Sequence, residues 1–272
     1  MTWPSSSSSE PILLDIKGPY AIITLNQPAK KNALDLVLYK RLSTLIQSVD
    51  ANPSVYITVL TGRGDFFSAG ADVKQARAQI GEEDVRGSTL RRLTESNLDL
   101  ARALYRHSKI LVAALNGPAI GLSAALLGHF DFVYAVENAY ILTPFSALSI
   151  VAEGGSSLSF PRRMGIVKAN EALILGKKLG ASELQQNGFF NKIFPQSSDA
   201  AFLQSLMTYL KEKFATLDLD ACLKTKQLIK QTLPDPDPSN IRELFAAAEQ
   251  FASGRPQQKF ADIAAKKMRH KL

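Results

Sequence analysis

The sequence predicts an α/β fold: a core of βαβ units around a largely parallel sheet, followed by a helical C-terminal region. Short β-rich apolar runs alternate with segments of helical apolar spacing over residues 12–197, and only helical patterns follow over residues 198–272. Residues 1–11 contain five consecutive serines and are predicted to be a disordered lead. In folds of this class, ligands bind at the carboxyl ends of the parallel strands.

The first half of the core shows strand and helix signals in turn. Ile12–Ile16 and Tyr20–Leu25 are β-rich runs, separated by the turn dipeptide Gly18-Pro19. Leu34–Val49 places its apolar residues at helical spacing. Val55–Thr61 is again rich in β-branched residues and is predicted to be a strand.

The second half of the core follows the same rules with longer connections. Glu95–His107 is predicted to be helical, Ile110–Asn116 a buried strand and Leu122–Leu127 a short apolar helix. Phe132–Val136 and Tyr140–Leu142 are predicted to add strands. Four helices are predicted beyond the core: Phe202–Phe214, Leu219–Leu233, Asn240–Ala252 and Pro256–Lys267.

The composition is that of an ordinary globular chain. Of its 272 residues, 46% are hydrophobic and 21% are charged, which excludes wholesale disorder. The single cysteine, Cys222, excludes an internal disulfide framework and fits a reducing compartment. All apolar runs are far shorter than the ~20 residues that a membrane-spanning helix needs. We therefore expect a soluble protein with no membrane span.

The charge balance favours an anionic partner. The formal net charge is +7 and the isoelectric point is near 9.4. Basic and aromatic side chains are nowhere interleaved as they are in a platform that stacks nucleic-acid bases. An anionic small molecule is therefore expected, and nucleic acid is not.

The motifs exclude several kinds of catalytic site. The chain contains no Gly-x-Gly-x-x-Gly fingerprint, no Walker-type phosphate loop and no His-Glu-x-x-His. With three histidines and one cysteine, no metal site is expected. Ser68 is not set in the Gly-x-Ser-x-Gly elbow of a serine hydrolase. Carboxylates and backbone N–H donors remain as the candidate chemical groups.

Two glycine-containing loops, 64–74 and 116–125, each follow a predicted buried strand and lead into a helix. Gly70 in the first and Gly121 in the second permit sharp turns, after which backbone amides point outward. Two such amides that face one point form an oxyanion hole. The alternative is a pair of ordinary strand-to-helix connections in which glycine serves close packing.

One carboxylate stands out from its neighbours. Glu153 follows the apolar run 150–152 and precedes Gly154-Gly155, a setting that raises a carboxyl pKa and suits proton transfer near neutrality. The alternative is a glutamate that caps a helix over 156–162. Asp131 and Glu137 are expected to be structural or solvated.

The loops together resemble a known family. Phe-Phe-Ser-Ala-Gly-Ala-Asp-Val-Lys at 66–74, Ala-Leu-Asn-Gly-Pro-Ala-Ile-Gly-Leu-Ser-Ala-Ala at 114–125 and Lys-Asn-Ala-Leu at 31–34 resemble the crotonase (enoyl-CoA hydratase/isomerase) superfamily over residues 12–195. The resemblance implies a spiral of ββα units with a helical C-terminal trimerisation region, associated as a homotrimer or hexamer. It also implies an acyl-CoA thioester as substrate, with no separate cofactor.

The resemblance assigns roles to residues. The backbone amides of Ala71 and Leu122 would form the oxyanion hole for the thioester oxygen. Contacts with the acyl-CoA are implied for these two and for their neighbours in the three motifs, with Phe145 added: Lys31, Ala33, Ala69, Gly70, Asp72, Val73 and Lys74.

The glutamate pattern indicates which reaction is catalysed. Hydratases of this family carry two glutamates, and the corresponding positions here are Ala125 and a point near Phe145. A single glutamate, Glu153, is similar to the peroxisomal Δ3,Δ2-enoyl-CoA isomerases of fungi, which implies transfer of a proton from C2 to C4. Two alternatives remain: a peroxisomal hydratase or dehydratase of a specialised acyl-CoA, such as mevalonyl-CoA in siderophore biosynthesis, and a noncatalytic acyl-CoA-binding protein.

The C-terminal tripeptide His270-Lys271-Leu272 is a variant of the Ser-Lys-Leu peroxisomal address. It predicts the peroxisomal matrix as the location and the import receptor as a partner. A second carboxylate could still join the site from a mobile loop that contains Glu82 and Glu83.

Overall fold

A computed structural model describes residues 9–72 and 84–265 of the chain. Its main sheet has six strands in the order β1-β2-β3-β4-β6-β9, and every neighbouring pair is parallel except β1 with β2. The strands are β1 Ile12–Lys17, β2 Tyr20–Leu25, β3 Ile57–Gly62, β4 Ile110–Leu115, β6 Phe132–Val136 and β9 Lys192–Phe194. The predicted largely parallel sheet is therefore confirmed.

The central strands are apolar throughout because both faces of the sheet are covered. Every residue of β2, β3 and β4 is buried, which explains their nearly continuous Val, Ile, Leu and Ala runs. The first strand is different: after the buried Ile12, its residues alternate between half-buried and exposed positions at the edge of the sheet. Because β3 and β4 are adjacent and parallel, their carboxyl ends place the two glycine-containing loops side by side.

A second, small sheet was not predicted, apart from its central strand. It pairs β5 Ala119–Ile120 with β7 Tyr140–Leu142 in parallel, and β7 with β8 Leu179–Gly180 in antiparallel. Two-residue strands are too short to show any periodicity, so sequence patterns do not reveal them. Their effect is to hold the second glycine-containing loop against residues that lie beyond it in the chain.

The helix predicted at Glu95–His107 begins earlier and is not uniform. The structure has α2 at Val85–Leu93, a π-helical turn at Thr94–Leu98 and α3 at Asp99–Tyr105. Most residues of α2 are polar, so it lacks the apolar periodicity that predicts a helix. Its N-terminus is instead marked by Asp84, whose carboxylate accepts a hydrogen bond from the amide of Gly87 at 2.7 Å.

The other helices lie close to their predicted positions, and residues 156–173 form two helical segments that are separated at Gly165, where φ is +76° and ψ is 157°. In chain order they are α1 Leu36–Asp50, α4 Leu122–Ala125, α5 Ser156–Leu173, α6 Ala181–Gln186, α7 Asp199–Phe214, α8 Leu219–Gln231, α9 Asp237–Ala252 and α10 Arg255–Ala264. Helix α6 was not predicted. In the part of the chain that the structure describes, no helix has the length and hydrophobicity to span a membrane.

Candidate active site

The two glycine-containing loops are hydrogen-bonded to each other along their length. The amides of Phe67 and Ser68 donate to the Pro118 carbonyl at 3.0 and 3.3 Å, and the amide of Ile120 donates to the Ser68 carbonyl at 2.9 Å. Ser68 and Ala119 form an isolated parallel bridge. This short ladder fixes the relative position of the chain segments that carry Ala71 and Leu122.

Gly70 makes the closest approach between the loops. Its φ is +84°, and a Cβ atom there would lie 2.6 Å from the Ile120 carbonyl oxygen. Any side chain at this position would therefore push the loops apart. In each loop the residue after the glycine is a predicted donor: Ala71 follows Gly70, and Leu122 follows Gly121.

Both predicted donors have unused amides within residues 9–72 and 84–265. Ala71 bridges to Leu34, but the bridge uses the carbonyl of Gly70 and the amide of Asp72, each at 2.9 Å. Leu122 is the first residue of α4, where amides have no partner inside the helix. Two such donors next to each other suit an oxygen that gains negative charge.

A buried hydroxyl network supports the two loops from below. Ser68 Oγ donates to the Asn32 carbonyl at 2.8 Å and accepts from the Gly70 amide at 3.1 Å. Because its single proton is used, Ser68 Oγ must accept from Ser123 Oγ, which lies 2.8 Å away. Both serines are buried, so this network is shielded from water and holds the position of the residue after Leu122.

The Glu153 loop packs against Leu122, one of the two predicted donors. The residue that follows it, Gly154, has a φ of +67°, and a Cβ atom there would lie 2.8 Å from Leu122 Cδ1. His129 Nε2 donates to the Gly154 carbonyl at 2.6 Å. Burial lowers the pKa of His129 to about 4, so its ring is neutral at pH 7 and serves as a fixed donor.

The carboxylate of Glu153 is half-buried and has one side-chain donor. Asn97 Nδ2 donates to its Oε2. Burial, the largest effect, raises the pKa of Glu153 to about 7; the Asn97 hydrogen bond and the charge of Arg92 lower it, and the charge of Glu243 raises it. Near pH 7 this group therefore exists both as a base and as an acid, which proton transfer requires.

Asn97 is a functional residue that was not predicted from the sequence. It lies in the π-helical turn, where the amide of Asp99 bonds to the carbonyl of Thr94, five residues back. Such turns occur often at functional sites. Ser96 Oγ lies 2.8 Å from Asn97 Oδ1, which fixes the side-chain amide with its Nδ2 toward Glu153. An asparagine inside a predicted helix was the one signal available, and it is weak.

The C-terminal helix α9 also contributes to the site, which the sequence did not indicate. A narrow cleft lies between Glu153 and this helix. Its lining combines polar and apolar residues: Leu93, Asn97, Glu153, Gly154, Asn240, Glu243, Leu244 and Ala247. Glu243 is the second carboxylate near Glu153, and no spacing in the sequence relates the two.

The remaining predicted contact residues fall into two groups. Lys31 and Asp72 border the first loop, where the Ala69 amide donates to the Lys31 carbonyl at 2.9 Å and Ala33 is half-buried. Phe145 is only 1% exposed and belongs to the packed interior beneath the Glu153 loop, so its side chain does not line an open groove. Val73, Lys74, Glu82, Glu83 and the tripeptide His270, Lys271 and Leu272 lie outside the described residues.

The expected structural carboxylates have structural partners. Asp131 Oδ2 accepts from the Leu111 amide at 2.7 Å and from Lys226 Nζ at 2.5 Å. Glu137 Oε2 accepts from the Gln196 amide at 3.3 Å. Within the described ranges, no group of three or more His, Cys, Asp or Glu residues is arranged to hold a metal ion.

Comparison with known proteins agrees with the loop motifs. The profile of a family described as "Enoyl-CoA hydratase/isomerase" matches residues 15–239. The chain is 40% identical to a "Delta(3,5)-Delta(2,4)-dienoyl-CoA isomerase" of Pyricularia oryzae, over 95% of this chain and 98% of that protein. It is 35% identical to a "3,2-trans-enoyl-CoA isomerase" of Saccharomyces cerevisiae, over 97% and 98%.

A solved structure supports the same relationship. The crystal structure of an enoyl-CoA hydratase/isomerase from Pseudoalteromonas atlantica is 27% identical and superposes with a TM-score of 0.83. The match covers 97% of this chain and 100% of that one.

Replacing Asn97 should raise the pKa of Glu153. The Asn97→Ala substitution removes a hydrogen bond that stabilises the ionised carboxylate, so the pKa should move above its value of about 7. Carboxyl ¹³C NMR, with Glu153→Gln used to assign the signal, measures the change. Asn138→Ala, at an exposed turn, is the control and should leave the titration unchanged. A pKa that stays constant or falls in Asn97→Ala would contradict this account.

Proposed function

Because this chain belongs to the enoyl-CoA hydratase/isomerase family, we propose that it is an acyl-CoA isomerase that converts a 3-enoyl-CoA to a 2-trans-enoyl-CoA. One observation carries the proposal: Glu153, whose burial raises its pKa to about 7, is followed by Gly154, which packs against the side chain of Leu122, one of the two predicted amide donors. The names of the two isomerases to which the chain is similar support the same reaction.

The proposed reaction needs one base and one oxyanion hole. The Glu153 carboxylate removes a proton from C2, and the electrons of that bond form C1=C2 while the thioester oxygen becomes negative. The amides of Ala71 and Leu122 stabilise this enolate oxygen. The protonated Glu153 then delivers the proton to C4. The C1=O bond is restored and the C3=C4 double bond becomes C2=C3, so that no atom is gained or lost.

A single carboxylate fits this transfer better than it fits hydration by two acids. Glu243, the other carboxylate in the cleft, accepts hydrogen bonds from backbone amides at both of its oxygens. Because both oxygens hold the start of α5, Glu243 is placed for a structural role rather than for activating water. Glu82 and Glu83, the sequence candidates for a second carboxylate, lie outside the described residues.

A second candidate is the conversion of a 3,5-dienoyl-CoA to a 2,4-dienoyl-CoA. The observation that favours it is the name of the relative with 40% identity. That reaction takes a proton from C2 and returns one at C6, so the proton travels twice as far along the acyl chain as in the 3-enoyl reaction. Of the two carboxylates that line the cleft in the described part of the chain, only Glu153 is not held by backbone amides, so the shorter transfer by a single residue is the first choice.

The proposal extends to binding, assembly and location. CoA contacts are proposed for Lys31, Ala33, Ala69, Gly70, Asp72, Val73 and Lys74, and the net charge of +7 suits the phosphates of CoA. Exposed apolar side chains on and after α5 support self-association as a trimer or hexamer: Ile166, Val167, Ile174 and Leu175. The tripeptide at 270–272 supports import into the peroxisomal matrix through the receptor for such signals.

Turnover of three substrates tests the reaction class. The purified protein is given trans-3-hexenoyl-CoA, a 3,5-dienoyl-CoA and mevalonyl-CoA separately. Absorbance follows conjugation with the thioester, and mass spectrometry follows loss of water. We expect rapid conjugation of hexenoyl-CoA with no net change in mass. Dehydration of mevalonyl-CoA with little isomerisation would replace the proposal with the dehydratase hypothesis. Tight binding without turnover would favour a noncatalytic acyl-CoA-binding protein.

Glu153→Gln should lower kcat for 3-hexenoyl-CoA by at least ~10²-fold, because the amide neither accepts nor returns the proton. Binding of the substrate and thermal stability should be nearly unchanged, since glutamine has the same shape. Glu137→Gln, in an exposed turn, is the matched control and should keep wild-type kcat. Near-normal turnover by Glu153→Gln would remove Glu153 from the mechanism.

Two substitutions at Leu122 separate its amide from its side chain. Leu122→Pro removes the amide proton at the first position of α4, where proline is compatible with a helix. We expect a loss of about 10²-fold in kcat. Leu122→Ala keeps the amide and should be milder, although it loses packing against Gly154. Equal impairment of the two variants would mean that the side chain, not the amide, carries the effect.

A further inference from the structure

Helix α5 begins directly after the Glu153 loop, but no side chain of that loop caps it. Gly155 is its N-cap, with a φ of +76° and no side chain to accept a hydrogen bond. The sequence suggested Glu153 as an alternative cap, and the structure does not give its side chain that role. The amides at this helix start therefore need an acceptor from elsewhere in the fold.

That acceptor is Glu243, which lies far along the chain on helix α9. Its Oε2 accepts from the Gly155 amide at 2.6 Å, and its Oε1 accepts from the Ser157 amide at 2.8 Å. The residue is 7% exposed. A carboxylate that accepts from two amides at a helix N-terminus is stabilised both by the hydrogen bonds and by the helix dipole.

The segment that Glu243 holds is the one that positions Glu153. Two consecutive glycines, both with positive φ, connect Glu153 to Ser156, so the local backbone has little preference of its own for this geometry. The Glu243 hydrogen bonds fix the far side of this Gly-Gly segment. Without them, the segment would be held by the His129 bond to Gly154 and by the bond from Ser156 Oγ to the Glu153 carbonyl.

We propose that Glu243 is a positioning residue for the isomerisation: through the amides of Gly155 and Ser157 it fixes the loop that aims Glu153 at the substrate, and its negative charge acts on Glu153. This inference rests on the proposed function. It assigns Glu243 no contact with substrate, because both of its oxygens are already engaged by the backbone.

The charge of Glu243 acts in a defined direction. Because like charges oppose each other, Glu243 raises the pKa of Glu153, whereas Arg92 and the Asn97 hydrogen bond lower it. Burial raises the pKa of Glu243 itself, while its hydrogen bonds from Ser157 and Gly155 and the charge of Arg242 act to lower it. The buried Tyr39 also lies within electrostatic range of Glu153. If the charge at residue 243 is removed, the pKa of Glu153 should therefore fall.

Contacts near both ends of α9, which carries Glu243, join this helix to the helical segment that carries Asn97. At the start of the helix, Asp237 accepts from Arg102 at 3.0 Å and from Arg106 at 2.6 Å, both in or next to α3. Toward its end, Glu249 pairs with Arg86 of α2 at 2.6 Å. Helix α9 is thus linked by ion pairs to the helices on both sides of the π-helical turn that carries Asn97.

Two substitutions separate the positional effect from the charge effect. Glu243→Gln keeps the shape, removes the charge and replaces one acceptor with a donor. We expect kcat for 3-hexenoyl-CoA to fall at least ~10-fold with KM little changed. We also expect the pKa that defines the acidic limb of the pH–kcat profile to fall by about 0.5 unit or more. Glu243→Asp keeps the charge but is too short to reach both amides. It should lower kcat without the downward shift of the limb.

Glu212→Gln is the matched control, because it changes an exposed glutamate on a different helix, α7. It should keep wild-type kcat and pH dependence. Thermal unfolding of all variants verifies that they are folded at the assay temperature. The proposal is overturned if Glu243→Gln matches the control in both kcat and acidic limb, or if Glu243→Asp and Glu243→Gln shift the limb equally.

A separate readout distinguishes failure of this inference from failure of the proposed function. Carboxyl ¹³C NMR of Glu153 needs no turnover. If the wild-type protein does not isomerise 3-enoyl-CoA, the proposed function fails. In that case, a lower Glu153 pKa in Glu243→Gln still supports the electrostatic link between the two residues, and an unchanged pKa refutes it.

Discussion

The short ladder between residues 66–70 and 118–120 is the constraint on which the rest of the site depends. It exists because β3 and β4 are adjacent and parallel, so both loops leave the sheet at the same edge. Gly70 allows the backbones to approach to a distance that no side chain would tolerate. The two amides, the buried serine network and the packing of Gly154 on Leu122 all take their positions from this contact.

The surroundings of Glu153 balance opposing effects. Burial and the neighbouring charge of Glu243 favour the protonated form, while Asn97 and Arg92 favour the carboxylate. If Glu153 were fully desolvated and had no hydrogen-bond donor, it would stay protonated near neutral pH. A stronger donor or a closer cation would lower its pKa and make it a weak base. As a result, both the protonated and the ionised forms of Glu153 are populated near neutral pH. This suits a group that must first remove a proton and then return it.

Local patterns predicted the parts of this fold that depend on nearby residues. The buried strands, α1 and the two glycine-containing loops follow from apolar runs and glycine positions, and Glu153 stood out from its apolar neighbours. The partners of Glu153 could not be predicted in this way, because Asn97 and Glu243 reach it only through the packing of distant helices. The cap of α5 is an example: the sequence suggests a glutamate, and the structure supplies a different one.

The π-helical turn at Thr94–Leu98 has a consequence for the evolution of the site. A π turn contains one residue more than the α-helical turn that it replaces, and its hydrogen bonds are less regular. Deleting one residue from this turn would allow α2 and α3 to form one continuous α-helix with little change in their relative orientation, because a five-residue π turn covers about the same rotation as four α-helical residues. The shortened helix would have more regular hydrogen bonds, but it would lose the widened turn that carries Asn97. Selection for stability alone would thus favour the deletion, and only a need for the side chain at position 97 would preserve the longer turn.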